Sequence, residues 1–216
     1  MALALRYPLV MDVTPDLDKP SQAQWDIDSG DVARFKAGDA DAFESLVTRR
    51  EREVFQVALR MLGDREAAQD AVQDTFLRAY RGLKSFRGDA RFRTWLLGIA
   101  INVCRTRLSS AGERERHQTS SLTPQADGDG DPVELSISDA SPGPDAAALG
   151  GELRVALARA LLRLAPEFRE VIILREIHQM DYEDMALAVS CPLGTVKSRL
   201  ARARYALREA LRGYWP

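Results

Sequence analysis

Between Ser85 and Asn102, Arg87, Arg91 and Arg93 interleave with Phe86, Phe92 and Trp95. Guanidinium groups pair with phosphates and rings stack on bases, so the mixture suits single-stranded or opening DNA. Asn102 adds an amide that both donates and accepts hydrogen bonds, as recognition of a base edge requires. The plainer reading puts Phe92 and Trp95 in a core; a half-buried Trp95 would serve both. A second constellation lies near the C-terminus. Thr195, Lys197, Ser198, Arg199 and Arg202 fall off the apolar stripe Val196, Leu200, Ala203 and Leu207. From Lys197 onward six basic residues stand against one acid, Glu209. Early residues of such a helix reach base edges while its arginines hold phosphates. A solvated basic face is the alternative. A third group is acidic. Asp70, Gln73 and Asp74 share a helix face opposite Val72, Phe76, Ala79 and Tyr80. Carboxylates in an otherwise basic block suit docking on a basic protein surface, or are simply solvated.

No glycine-rich phosphate loop, nucleophile paired with a base, or metal-spaced carboxylate set stands in the sequence. The chain is therefore expected not to be an enzyme and to need no cofactor or metal. Cys104, Cys191, His117 and His178 are too scattered for a disulfide framework or a zinc site. Both cysteines read as small buried residues.

The elements that must position these groups follow from composition and periodicity. The 216 residues are 45% hydrophobic and 29% charged, which is globular and fits one large or two small domains. No apolar run approaches the ~18–20 residues of a membrane helix, and a reduced, cytoplasmic setting is expected. The net charge of −2 conceals an asymmetry. Residues 30–110 carry 15 basic and 11 acidic side chains, residues 152–216 carry 11 and 8, and residues 118–151 carry none and 6. Two basic blocks flank an acidic spacer rich in Gly, Pro, Ser and Asp, which reads as a flexible linker.

Both blocks have helical periodicity, and neither alternates long enough for a strand. Gly63-Asp64 ends one helix and caps the next. Tyr182–Val189, a short turn through Ser190-Cys-Pro192, and Leu193–Leu200 form a helix-turn-helix, with Asp181 as the first N-cap. Met185, Ala186 and Val189 are expected to face inward. The fold class is all-α: two small helical domains joined by a flexible acidic linker. The expected boundaries are a flexible extension over 1–29, a first domain over 30–112, the linker over 113–150 and the second domain over 151–216.

The stretch Phe86-Arg-Gly-Asp89, Thr94-Trp-Leu96 and Ile99-Ala-Ile-Asn102, followed in order by Gly194-Thr-Val-Lys-Ser-Arg-Leu-Ala-Arg-Ala-Arg204, resembles the extracytoplasmic-function (ECF) sigma factors. These bacterial initiation factors give RNA polymerase its promoter specificity. The resemblance covers about residues 30–110 and 152–212. It implies that Asp70, Gln73 and Asp74 dock on the clamp helices of the polymerase β′ subunit. It implies that Phe86 and Asn102 lie where a flipped −10 base is received, beside Trp95, with Arg87, Arg91, Arg93 and Arg105 toward phosphates. Base extrusion costs a few kcal/mol, which stacking at ~1–3 kcal/mol per base can offset. Thr195, Lys197, Ser198 and Arg202, and less centrally Arg199, match the positions that read the −35 element. The partners implied are core polymerase through β′ clamp and β flap, promoter DNA, and an anti-sigma factor, often membrane-anchored, within a stress response. The other reading is a helix-turn-helix regulator with no sigma role.

Two departures stand out. The family's Gly-Leu-Ser-Tyr-Glu-Glu entry to the helix-turn-helix is Gln179-Met-Asp-Tyr-Glu-Asp184 here. Its frequent Tyr-Arg is Leu97-Gly98, which removes one basic contact and costs ~1 kcal/mol of helix propensity relative to Ala.

Overall fold

A computed structural model describes residues 22–119 and 144–214, with side-chain surroundings for 28–110 and 152–214. Among them are helices and no strand, as the periodicity requires. The first bundle holds α1 (Gln22–Lys36), α2 (Asp41–Leu62), α3 (Arg65–Leu83) and α4 (Phe92–Thr119). The second holds α5 (Pro144–Arg163), α6 (Pro166–Ile172), α7 (Tyr182–Val189) and α8 (Leu193–Ala210). No helix of the described residues is long and apolar enough to cross a membrane. Residues 1–21 of the expected extension and 120–143 of the expected linker lie outside the described residues.

The helices run further than periodicity alone suggests. α4 continues to Thr119, α5 begins at Pro144, and α1 takes in residues 22–29. Asp28 shows why α1 starts early. It is 4% exposed, bonded to Arg49 at 2.7 Å and paired with Arg50. Asp31 takes the other arm of Arg49 at 2.8 Å. A buried carboxylate must find a cation, and here the cations come from α2.

Local signals set the first bundle's corners. Gly63 adopts φ 76° and donates its N–H to Leu59 O, closing α2. Asp64 then accepts from the Ala67 N–H at 2.6 Å and opens α3. Leu46, Val57, Met61, Ala79, Leu83, Leu96 and Ile101 fill the core behind them. Tyr80, expected inward, is 49% exposed. Phe76, Ala79 and Leu83 take the centre of the α3 stripe, so Tyr80 falls on its flank. There its ring meets Phe35 and Phe43 edge-on at 5.2 and 5.1 Å.

The helix-turn-helix forms as its sequence dictates. Asp181 accepts from the Asp184 N–H at 2.8 Å, and Met185 and Val189 are buried. Ala188 is also buried, while Ala186 is only half-buried. Ser190 ends α7 in the left-handed region (φ 53°). On α8, Val196, Leu200 and Ala203 are buried and Leu207 half-buried.

The entry is less regular. α6 continues as a π turn over Ile173–Ile177, and His178 donates its N–H to Ile173 O at 3.2 Å. Gln179 then takes φ 51°, letting the Met180 N–H reach Leu174 O at 3.0 Å. The family's glycine at this position thus has a backbone reason, and Gln179 occupies a left-handed site that costs a side chain about 1–2 kcal/mol. Gln179→Gly should raise unfolding free energy by about 0.5–1 kcal/mol once the looser unfolded chain is subtracted. Urea midpoints of the two proteins check this.

Candidate nucleic-acid interface

The acidic patch lies on α3. Asp70 and Asp74 are well exposed and Gln73 is exposed beside them. The patch is not purely acidic. Arg107, reaching from α4, bonds Asp74 at 2.6 Å and stands 3.5 Å from Asp70. Hydrogen bonding to Asp74 holds the Arg107 guanidinium above its ordinary value despite some burial. Leu77, 54% exposed, sits one turn past Gln73 and adds apolar surface to the patch. In the sequence its one signal is the i+4 spacing from Gln73.

The aromatic-arginine segment folds into a cluster at the start of α4. Phe86 packs on Trp95 with ring centroids 4.9 Å apart and meets Phe92 edge-on at 6.4 Å. Phe92 is buried and Trp95 half-buried, so the core and surface readings both hold. Trp95 needs Gly82 beneath it, since a Cβ there would lie 3.2 Å from the indole. Lys36 bonds the Phe86 carbonyl and sits 5.5 Å from the centre of its ring. Arg87 is exposed next to it, where Gly88 turns the chain at φ 83°.

Asn102 is exposed, but it lies two turns beyond Trp95, about 10 Å along the axis at ~1.5 Å per residue. The rings on Phe86 belong to Phe92 and Trp95, and Asn102 accepts from Arg105 at 3.5 Å. Phe86, in the turn before α4 and packed on its first turns, and Asn102 therefore lie at two levels along the helix.

Several arginines assigned to phosphates are engaged within the chain. Arg93 bonds Glu53 of α2 at 2.6 Å and donates to the His178 carbonyl at 2.8 Å. Arg105 bonds both carboxylate oxygens of Glu170 at 2.6 and 2.5 Å. Arg199 approaches the same carboxylate at 3.3 Å. Arg91 stands 3.7 Å from Asp184. The reason is that Glu170 is fully buried and Glu53 is only 16% exposed, and carboxylates withdrawn from water demand cations before a ligand can. Helix-face reasoning could not see them, because the acids sit in other elements. On α8, Lys197, Ser198 and Arg202 are exposed and Thr195 is half-buried, so this face is open apart from Arg199.

The same contacts join the two bundles. Gly98 lies against α7 so closely that a Cβ would sit 3.0 Å from the Ala188 carbonyl oxygen. Leu97 beside it is buried. The Leu97-Gly98 departure is thus a packing feature. Arg169 of α6, 7% exposed, donates to Leu161 O at 3.1 Å, Leu164 O at 2.9 Å, and the carbonyls of Leu162 and Met61. It closes the C-terminal ends of α5 and α2 together, where helices leave carbonyls unpaired. Burial holds its guanidinium below the ordinary arginine value. Burial also pushes the Cys104 thiol up to about 12, so it stays protonated and unreactive.

Comparison with known proteins decides the family. The Sigma-70 region 2 family matches residues 46–114, and the Sigma-70, region 4 family matches residues 154–207. The RNA polymerase sigma-H factor of Pseudomonas aeruginosa is 35% identical over 180 residues, covering 83% of this chain and 91% of that protein. The ECF RNA polymerase sigma-E factor of Escherichia coli is 36% identical over 180 residues, covering 82% and 90%. The chain belongs to the ECF sigma factors. As such it is a transcription-initiation factor. Among solved structures, the sigma factor RpoE of Bartonella quintana, in complex with the anti-sigma factor NepR, matches with TM-score 0.59 and 26% identity, over 79% of this sigma factor and 96% of that chain. CnrH, solved with the cytosolic domain of CnrY, matches with TM-score 0.60 and 27% identity, over 87% and 99%. Matches to both regions set aside the regulator that would use its helix-turn-helix alone.

In this sigma factor Glu53 lies beside His178 of the second bundle, 3.3 Å from its Nδ1. Burial alone would raise it, but hydrogen bonds from His178 and Arg93 outweigh burial and bring it down to about 2. The stability this supplies is complete above the ordinary carboxylate value and is lost as pH falls from about 5 toward 2. Wild-type urea midpoints should therefore fall over that range more steeply than those of Glu53→Gln, which has no proton to take up there.

Proposed function

We propose that the first bundle docks on core RNA polymerase and opens the −10 DNA, while the second reads the −35 element. The observation that carries this is the division of chemistry between surfaces. Exposed carboxylates with Leu77 lie on α3, an aromatic-arginine cluster lies at the head of α4, and an exposed basic face lies on α8. Asp70, Gln73 and Asp74 would meet the basic clamp helices of β′, exchanging Arg107 for polymerase cations. Phe86 and Trp95 would stack on unpaired bases, with Arg87 toward phosphate and Asn102 reading a base further along α4. Thr195, Lys197, Ser198 and Arg202 would enter the major groove, and the second bundle would also touch the β flap. An anti-sigma factor is the second partner, supported by the resemblance to RpoE, which was solved bound to NepR. Inactive protein would then be held at the inner membrane by such a partner, and active protein would act on the nucleoid in the cytoplasm.

The deciding experiment adds the purified chain to bacterial core polymerase lacking any sigma, on a library of promoter fragments, and maps RNA 5′ ends. Discrete starts with shared −35 and −10 patterns are expected; duplex binding without any discrete start would reject the reading. On a promoter so found, Arg202→Ala should cut transcription roughly tenfold, since one base-reading arginine is worth about 1–3 kcal/mol. Asp74→Arg should abolish co-elution with core polymerase while leaving helicity by circular dichroism intact.

A further inference from the structure

We infer that Arg107 is a specificity-determining residue of the acidic patch on α3: an internal cation that a docking partner must displace. The inference rests on the reading of Asp70, Gln73 and Asp74 as the polymerase-docking face. Arg107 reaches from α4, and its two Nη atoms divide between the carboxylates. One bonds Asp74 Oδ2 at 2.6 Å, and the other stands 3.5 Å from Asp70 Oδ2. A single guanidinium thus spans the patch. No second cation is paired with either aspartate among the described residues.

The fold does not need this pairing. Arg93 and Arg105 of the same helix serve Glu53 and Glu170, carboxylates withdrawn from water. The side chains of Asp70 and Asp74 are 60% and 44% exposed, and water solvates them without help. Ion pairs this open add little stability. The Arg107 Nε is moreover buried without an acceptor among the described residues, which is a cost. Arg107 is therefore held across the patch by the charges there and not by a complete set of hydrogen bonds.

Two effects on a docking partner oppose each other. Arg107 separates two like charges one turn apart on α3 and fixes their side chains, which prepares acceptors. It also cancels one of the patch's two negative charges and repels an incoming cation. The second effect is the larger. An aspartate has few side-chain torsions to fix, so little ordering is saved. A unit charge about 5 Å from an incoming cation, in near-aqueous surroundings, changes affinity about three- to tenfold. The patch is thus self-screened. A surface that offers one scattered cation gains little by exchanging it for Arg107. A surface that presents several cations together replaces Arg107 and gains contact with Leu77 as well. Specificity then comes from a repulsive element carried by the chain itself.

The test titrates the fluorescein-labelled full chain with bacterial core polymerase and reads anisotropy over a salt series. Arg107→Gln and Arg107→Met remove the charge at similar side-chain length, and Arg107→Lys retains it. Circular dichroism confirms that each variant keeps its helices. Both neutral variants are expected to bind core polymerase about three- to tenfold tighter than wild type at low salt. The gap should close as the screening length shrinks from about 30 Å at 0.01 M salt to about 3 Å at 1 M. Arg107→Lys should stay close to wild type. With Asp74→Arg in place, Arg107→Gln should restore no binding, because the gain runs through the patch. The proposal is overturned if the neutral variants bind no tighter than wild type, since Arg107 then serves as an organiser of the patch. It is equally overturned if the lysine variant tightens as much as the neutral ones, or if the gain survives Asp74→Arg. Should one neutral variant fail to fold, the other carries the decision. Failure of the docking reading would show separately, as wild type and Asp74→Arg that bind core polymerase equally well.

Discussion

Glu170 is a fully buried carboxylate, and much of the arrangement follows from the need to satisfy it. Removing such a charge from water costs several kcal/mol unless cations and hydrogen bonds replace the solvent. Arg105 comes from α4 and Arg199 from α8, so one side chain of α6 fixes three helices at once. Its neighbour Arg169 solves the complementary problem. A buried guanidinium needs acceptors, and it finds them among the carbonyls at the C-terminal ends of α2 and α5. The adjacent pair thus joins the bundles, Glu170 through Arg105 and Arg169 through the Met61 carbonyl.

The interface adds polar fastenings to an apolar core that runs through both bundles. The close approach of Gly98 to Ala188 brings backbones together, and the Arg105–Glu170 ion pair crosses beside it. Contacts between domains are commonly of this polar, reversible type.

Much of the fold was legible in the sequence because the signals are local. The Gly63-Asp64 corner, the Asp181 cap and the stripe Val196, Leu200 and Ala203 each depend on residues within a turn or two. The exposed α8 face followed from the same periodicity. Tyr80 departed from its stripe because periodicity fixes a face only to within one position. The start of α1 was hidden because Asp28 is held by Arg49 and Arg50, partners on the next helix. Gln179 could be recognised as unusual beside the family's glycine, but only the backbone angle shows that the position is left-handed.

The sequence by itself determined the helices, the helix-turn-helix, the aromatic-arginine cluster and the kinds of side chain each surface carries. These depend on short-range spacing, which composition and periodicity record directly. Only the tertiary structure decided which of those side chains are free. Arg87 and Arg202 are exposed while Arg93, Arg105 and Arg199 are paired, although all are arginines in basic surroundings. The difference is set by Glu53 and Glu170, acids distant in sequence whose burial obliges them to claim a cation.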